Sequence, residues 1–335
     1  MLQKKNSKCL KINNLSNYNI LVITPIKHIE SLKNKLKKFS KITFLDDPTY
    51  AQVIKVIHKY DIIFTNPNKS KVLINKKLIK KGKKLKCVVT ASTGVNHIDT
   101  KYLTLKKIKL ISLTKDFFII RKISSTAEHA LALTMCQVRN VVPASKSVRN
   151  GNWDYTKFIG RQFNGLKIGV VGYGRLGAKY SSYVLALKSK IFAYEPFKKI
   201  KNKKIKQVKT LKFLFQKCDI ISIHVHVSKD TLNMINKTIF QYAKKDLLLV
   251  NTSRGEIINE LDLINFLKKN KKSKYAADVI SNEINNKNKS KILKFSKNND
   301  QVLITPHIGG MTKEAQSIAY ERVLDKLIEY VKYKK

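Results

Sequence analysis

Three things are scarce in this 335-residue chain. Acidic residues come first: 22 Asp and Glu stand against 68 Lys and Arg, a formal charge of +46. Cysteine comes second. Cys9, Cys87, Cys136 and Cys218 are scattered without a CxxC pair, which fits reduced thiols in a cytoplasm better than a disulfide or zinc framework. Long apolar runs come third. No stretch of about eighteen apolar residues occurs, so a membrane span is not expected. The first residues, Met1-Leu2-Gln3-Lys4-Lys5-Asn6, lack the apolar segment of a signal peptide. The expectation is a cytoplasmic protein without a metal framework.

The length suggests two domains, and a hydrophobic share of 43% is enough for real cores. The basic surplus has two readings. A nucleic-acid or anionic-membrane partner is one. A residue-usage bias is the other, and it is preferred. Lysines are spread along the chain among abundant Asn and Ile, as in Ile284-Asn285-Asn286-Lys287-Asn288-Lys289. Aromatics are not interleaved with them as stacking platforms. No specific nucleic acid and no membrane is therefore expected, although the charge should draw in anionic substrates and cofactors.

One stretch organises the rest. The apolar run Leu166–Val171 leads straight into Gly172-Tyr173-Gly174-Arg175-Leu176-Gly177. A helical pattern follows through Tyr180 and Tyr183 to Leu187, and a second strand-like run, Lys190–Tyr194, ends on Glu195. A lone GxGxxG is weak evidence. Strand before, helix after and an acid about twenty residues on make it strong. The glycines allow a tight turn, and a pyrophosphate can approach the helix N-terminus. Glu195 stands where a carboxylate accepts bonds from a ribose 2′-hydroxyl, so NAD is expected over NADP.

Short apolar runs alternate with helical patterns on both sides of that stretch, which predicts doubly wound parallel sheets. Before it, strands are expected at 19–24, 42–45, 61–65, 85–90 and 108–113, with Ile29, Leu32 and Leu36 on one helix face. This half has no Gly-rich phosphate loop. After it, strands are expected at 219–225, 247–251, 275–280 and 302–305. Lys199–Lys209 and Asn282–Asn299 read as polar surface connections. Thr312–Tyr333 reads as a closing amphipathic helix with Ala315, Ile318, Ala319, Val323, Leu327 and Val331 inward. Ser124 to Val142 reads as one long linking helix with Ser124 as N-cap, ended by Pro143. His129 within it reads as a core histidine. Trp153, Tyr155 and Phe158 read as packing against it.

Ligands in such sheets bind beyond the carboxyl ends of the strands. Arg254, Asp278, Glu283 and His307 stand at or just past successive strand ends. An arginine can grip a carboxylate bidentately and polarise a neighbouring carbonyl. A histidine can pass a proton to the carbonyl oxygen as a hydride arrives. A glutamate paired to it would favour the protonated form and hold the ring. Read from spacing alone, each could equally be a surface residue or a cap.

The sequence resembles the D-isomer-specific 2-hydroxyacid dehydrogenase family over about residues 60–330. The matching pieces, in the family's order, are Ala91-Ser92-Thr93-Gly94-Val95-Asn96-His97-Ile98-Asp99, Ser125–Leu133, Gly151-Asn152-Trp153 and the Gly172–Gly177 loop. They continue with Asn251-Thr252-Ser253-Arg254-Gly255, Asp278–Glu283 and Thr305-Pro306-His307-Ile308-Gly309-Gly310. The resemblance implies a catalytic triad of Arg254, Glu283 and His307. It also implies cofactor contacts from Gly172, Gly174, Arg175, Leu176, Gly177, Glu195, Thr252, Ser253, Asp278, Gly309 and Gly310. The Ser92-Thr93-Gly94-Val95 loop would bind substrate, with the Gly94 and Val95 amides receiving its carboxylate. The implied fold is two α/β domains: a flavodoxin-like substrate domain from 1–122 and 306–335, and an inserted Rossmann NAD-binding domain from 123–305. The implied activity is NAD-dependent hydride transfer with a small D-2-hydroxy acid or 2-keto acid, in a homodimer.

Three departures bear on this. The residue after Glu283 is Ile284 where the family often has proline, and His226 stands where a proline is usual. Asn66-Pro67-Asn68-Lys69 replaces the Arg-Ser pair of members that oxidise 3-phosphoglycerate, which puts phosphate recognition in doubt, with Lys69 as a candidate point-charge substitute. Two other readings remain. A nucleotide-sensing binding protein of the same fold would not need Arg254, Glu283 and His307 together. A formate dehydrogenase-like enzyme would carry glutamine where Glu283 stands.

Overall fold

The computed structural model describes residues 17–26, 29, 32, 35–36, 39, 41–66, 72–283, 287–297 and 299–332. The chain divides into two units, Met1–Ile123 with Lys313–Lys335, and Ser124–Thr312. Residues 306–312 thus belong with the second unit.

In the first unit the apolar runs form β1 (Asn19–Val22), β2 (Lys41–Phe44), β3 (Ile62–Thr65), β4 (Cys87–Thr90) and β5 (Lys109–Ile111), all parallel. Their order, β2-β1-β3-β4-β5, is the flavodoxin-like one. β3 and β4 are buried at every position, because a parallel sheet has both faces covered; their side chains therefore run apolar without alternation up to the closing Thr65 and Thr90. Ile29, Leu32 and Leu36 are buried in the same core; most of the helix expected around them lies outside the described residues. The last helix, Lys313–Lys332, turns Ala315, Ala319, Val323, Leu327 and Val331 inward at four-residue steps. Burying each larger aliphatic side chain stabilises by roughly 1.5–3 kcal/mol. Tyr320 on that helix stacks on Phe64 with ring centroids 5.9 Å apart, and its hydroxyl accepts from Asn66 Nδ2 at 2.7 Å. Lys69 lies outside the described residues.

The second unit is a seven-stranded parallel sheet. Its strands are β6 (Lys167–Val171), β7 (Lys190–Tyr194), β8 (Ile205–Val208), β9 (Ile220–Ile223), β10 (Leu248–Asn251), β11 (Lys274–Ala277) and β12 (Val302–Ile304). The order β12-β11-β10-β9-β6-β7-β8 runs outward from β6 first one way and then the other. That is the Rossmann order extended by one strand, and its switch point falls between β6 and β9. The register aligns the strand ends. Tyr194, Val171, Ile223, Asn251, Ala277 and Ile304 pair across the sheet in one row. The next residue of each strand is therefore Glu195, Gly172, His224, Thr252, Asp278 and Thr305, side by side along the carboxyl edge.

Four expectations are corrected. The linking helix is two helices, Ser125–Val138 and Val141–Arg149, separated by Asn140 in the left-handed region at φ 55°. Pro143 lies in the first turn of the second helix, where a missing N–H has no carbonyl to lose, so it does not end the pattern. Ser124 holds the N-cap position, but its side chain makes no capping bond. Trp153 and Tyr155 do not pack on the helix: they are 90% and 84% exposed. The Lys199–Lys209 connection contains the edge strand β8, whose Ile205 and Val208 are buried while Lys206 and Gln207 face out.

Candidate active site

The nucleotide loop shows why its glycines are needed. Gly172 has φ +86°, and a Cβ there would stand 2.5 Å from Val225 Cγ1 and 2.9 Å from the His224 carbonyl oxygen. A Cβ on Gly177 would stand 2.1 Å from the Gly172 oxygen, so only glycine lets helix and strand approach this closely. Gly174, the N-cap of the helix Arg175–Ala186, has nothing within 4 Å of its missing side chain. An anion can reach the backbone there and meet first-turn amides that have no intrahelical partner. Glu195 is tied to this loop: its Oε2 accepts from the Tyr173 amide at 3.0 Å and its Oε1 from the Phe197 amide at 3.1 Å. Arg175 and Leu176 open the helix and are partly buried; burial lowers the pKa of the Arg175 guanidinium. Partial loss of water, then the charges of Arg254 and Arg175, lower the pKa of His226.

At the end of β10, Asn251 Nδ2 donates to the Arg254 carbonyl at 2.9 Å and its Oδ1 accepts from the Ser253 amide at 3.0 Å, which locks the turn. Ser253 Oγ donates to the Ile223 carbonyl at 2.8 Å, so its hydroxyl is engaged within the sheet edge. The Thr252 hydroxyl is buried and has no partner among the described residues. Arg254 is half-buried, with Nη1 donating to the Ser253 carbonyl at 2.6 Å.

Beyond β11 and β12 the contacts are denser. His307 Nδ1 meets Glu283 Oε1 at 2.6 Å. An ionised carboxylate only accepts, so Nδ1 carries the proton and Nε2 is left to exchange one. His307 itself has φ +56°, a conformation that a non-glycine residue holds only when its surroundings fix it. The Glu283 loop is set by two other glutamates. Glu256 Oε1 accepts from the Asn282 amide at 3.3 Å, and Glu260 Oε1 from the Ser281 amide at 3.1 Å.

Asp278 is 2% exposed and holds the His307 loop. Its Oδ1 accepts from Thr305 Oγ1 at 2.6 Å and from the Ile308 amide at 2.8 Å; its Oδ2 accepts from the Gly309 amide at 2.7 Å. Burial alone would raise this carboxyl, but the hydrogen bonds from His129, Thr305, Gly309 and Ile308 outweigh it and hold the pKa below its ordinary value. Gly310 has open space around it. His129 is not a core histidine. It is half-buried, with Nε2 2.9 Å from Thr305 Oγ1 and 3.3 Å from Asp278 Oδ1.

Glu283 and His307 are therefore in direct contact, and Arg254 stands at the end of a strand two places along the same edge. Sequence reasoning missed the roles of Thr305 and His129, whose contact spans 176 residues of chain and leaves no local pattern. The Ser92-Thr93-Gly94-Val95 loop lies in the first unit, after β4. Ser92 Oγ donates to the Gly94 carbonyl at 2.5 Å, and Thr114 Oγ1 donates to the Thr93 carbonyl at 2.9 Å. Among the described residues the Gly94 and Val95 amides donate to nothing, although the Val95 carbonyl accepts from Ile98.

The sequence model of the D-isomer specific 2-hydroxyacid dehydrogenase NAD binding domain matches residues 131–309, more than half of the chain. The chain belongs to this family. The matched domain is the family's NAD binding domain, so its cofactor is NAD. The Gly172–Gly177 cradle, the open face at Gly174 and the orphaned Thr252 hydroxyl fit that group. Among curated relatives it is 31% identical over 299 residues to D-3-phosphoglycerate dehydrogenase of Archaeoglobus fulgidus, covering 89% of this chain and 54% of that one. It is 28% identical over 279 residues to hydroxypyruvate reductase of Thermotoga maritima, covering 83% and 87%. The chain spans about half the length of the phosphoglycerate dehydrogenases that it matches. A solved structure of D-lactate dehydrogenase from Aquifex aeolicus, complexed with NAD and lactic acid, has a TM-score of 0.74 at 25% identity and covers 94% of each chain. A pyruvate reductase of Chlamydomonas reinhardtii shares the fold with a TM-score of 0.79 at 22% identity, covering 95% and 97%. Among the described residues no helix is long and apolar enough to cross a membrane.

Proposed function

We propose that this family member is an NAD-dependent oxidoreductase that interconverts a small D-2-hydroxy acid and its 2-keto acid. The observation that carries the reading is the 2.6 Å pair of His307 and Glu283 on the edge that also bears the nucleotide loop. The named relatives act on phosphoglycerate, hydroxypyruvate and lactate, which share a hydroxyl or keto group next to a carboxylate.

The chemistry that NAD would supply here when bound is hydride transfer to or from the substrate's second carbon. Arg254 grips the substrate carboxylate with its planar fork and polarises the adjacent carbonyl. His307 delivers the Nε2 proton to the carbonyl oxygen in reduction and recovers it in oxidation. Glu283 holds Nδ1–H, which fixes the ring and leaves Nε2 to exchange the proton. In the first unit, the Gly94 and Val95 amides, which donate to nothing among the described residues, are the donors that the family resemblance assigns to the substrate carboxylate. Arg175, Leu176 and the helix amides would hold the pyrophosphate, Glu195 the ribose, and Thr252 a polar group of the cofactor. Gly310 leaves room on the His307 side, and Gly309 sits close against Asp278. The protein acts as a homodimer; what supports this is the exposed apolar surface of Val141, Val142, Val148, Trp153, Tyr155 and Ile159.

A panel of 2-keto acids, glyoxylate, pyruvate, hydroxypyruvate and 3-phosphohydroxypyruvate among them, tests the reading by loss of NADH absorbance. At least one should be reduced with saturable kinetics, and only the D-hydroxy product should be reoxidised. Turnover of none, or formation of the L-product, would overturn it.

A further inference from the structure

The loop that carries His307 is held by a chain of hydrogen bonds that begins on a different element. His129 lies in the helix Ser125–Val138, and its Nε2 is 2.9 Å from Thr305 Oγ1. Thr305 Oγ1 is 2.6 Å from Asp278 Oδ1. A hydroxyl has one proton to give, and a carboxylate can only accept. The Thr305 proton therefore goes to Asp278, and His129 must donate from Nε2 to the Thr305 oxygen. This fixes the His129 tautomer with hydrogen on Nε2. Asp278 in turn receives the Ile308 amide at 2.8 Å and the Gly309 amide at 2.7 Å, the two residues that follow His307. The His307 amide donates to the Thr305 carbonyl at 3.0 Å. His307 is thus pinned on both sides, and its φ of +56° is the result. Gly309 completes the arrangement, because a Cβ there would stand 2.9 Å from Asp278 Oδ2.

We infer that His129 and Asp278 are positioning residues for proton transfer: His129, through Thr305 and Asp278, holds the loop that aims His307. The inference rests on the function proposed above, and His129 does not touch the reacting atoms in that scheme. Three facts favour positioning over simple packing. His129 is half-buried rather than part of an apolar core. Its contacts are polar and ordered in one donor direction. Among the described residues the carboxylate at the end of the chain bonds only to the two amides beyond His307 and to the Thr305–His129 pair. A shift of about 1 Å at a reacting group can cost on the order of 10²-fold in rate.

The test uses the full-length protein and three variants with their combinations. His129→Leu removes the donor, and His129→Gln keeps an N–H close to where Nε2 stands. His129→Leu should lower kcat for the best keto acid about 10- to 100-fold while the Kd for NADH, measured by fluorescence titration, changes less than about threefold. His129→Gln should recover most of that loss. In a His307→Gln background, adding His129→Leu should cost nothing more, since its effect passes through His307. Three results would overturn the inference: an unchanged kcat in folded His129→Leu, no recovery with His129→Gln, or a full additional loss in the double variant. The proposed function fails separately, if His307→Gln alone keeps the wild-type rate. Far-UV circular dichroism of each variant, with His129→Gln as the milder change, keeps the comparison on folded protein.

Discussion

The Glu195 carboxylate accepts a hydrogen bond from the Tyr173 amide at 3.0 Å, so the acid that ends β7 is fastened to the glycine turn that ends β6. Its orientation is fixed by the backbone, and its negative charge faces the same site as the turn. A ribose 2′-hydroxyl can donate to such a group. A 2′-phosphate would meet repulsion on the order of 1–3 kcal/mol, hence about ten- to a hundredfold in kcat/KM. NADH should be preferred over NADPH by that margin. Glu195→Ser should narrow the gap, helped by Lys198, whose ammonium lies 6.0 Å from the Tyr173 ring. Steady-state kinetics with both cofactors decide it, and a wild-type preference for NADPH would remove the assigned role of Glu195.

His307→Gln keeps size and hydrogen bonding but cannot deliver a proton at neutral pH. Its kcat should fall by about 10²–10⁴-fold, the usual contribution of a general acid. Arg254→Lys keeps the charge and loses the fork, so the keto-acid KM should rise as well as kcat fall. Equal effects of the two variants on kcat alone, measured with one keto acid under saturating NADH, would contradict the separate roles given to them.

Asp116 ties the last helix to the rest of the first unit: its Oδ2 lies 2.7 Å from both Arg322 Nε and Lys326 Nζ. Burial would raise this carboxyl, but the bonds from Lys326 and Arg322 prevail and bring its pKa from 3.8 down to about 2. A depressed folded-state value means stability present above the unfolded pKa and lost as pH falls toward about 2. Asp116→Asn should lower stability by about 1 kcal/mol at neutral pH, since water screens the partly exposed partners. The difference from wild type should shrink between about pH 4 and pH 2. Denaturant midpoints across that range check the sign; a gap that widens in acid would refute it.

The helix Val141–Arg149 has no buried residue, and Trp153 and Tyr155 stand almost fully exposed nearby in sequence. If this surface joins two copies, sedimentation of the wild type should give a dimer. Trp153→Ala with Tyr155→Glu should shift it to monomer at micromolar concentration, since buried aromatics dominate interface energies. A wild-type monomer at high concentration would leave the homodimer without support.

The strands were legible because both faces of each sheet are covered, so runs such as Leu247–Val250 are apolar without interruption. The nucleotide loop was legible because its constraint is local: a strand, a turn with positive φ and a helix within a dozen residues. The edge strand β8 was hidden by its lysine, since an edge tolerates charge on its open side. The break at Asn140 was hidden because an asparagine enters the left-handed region at little cost and Pro143 drew the boundary to itself. The Glu283–His307 pair could be suspected from strand ends. The bond from His129 could not, because nothing near either residue announces a partner so far away in sequence.

The brace at the His307 loop also bears on how the chain assembles. A Cβ at Gly309 would lie 3.4 Å from Thr126 Cγ2, so the second residue after Ser124 and the last turn before Thr312 touch. The second unit, once folded, presents its entry and its exit side by side. For the first unit, which is written in two distant pieces of sequence, a long intervening chain is thereby reduced to a short bridge. The entropy of closing that loop, which grows with the logarithm of its length, is met when the inserted unit folds and not when the final helix docks.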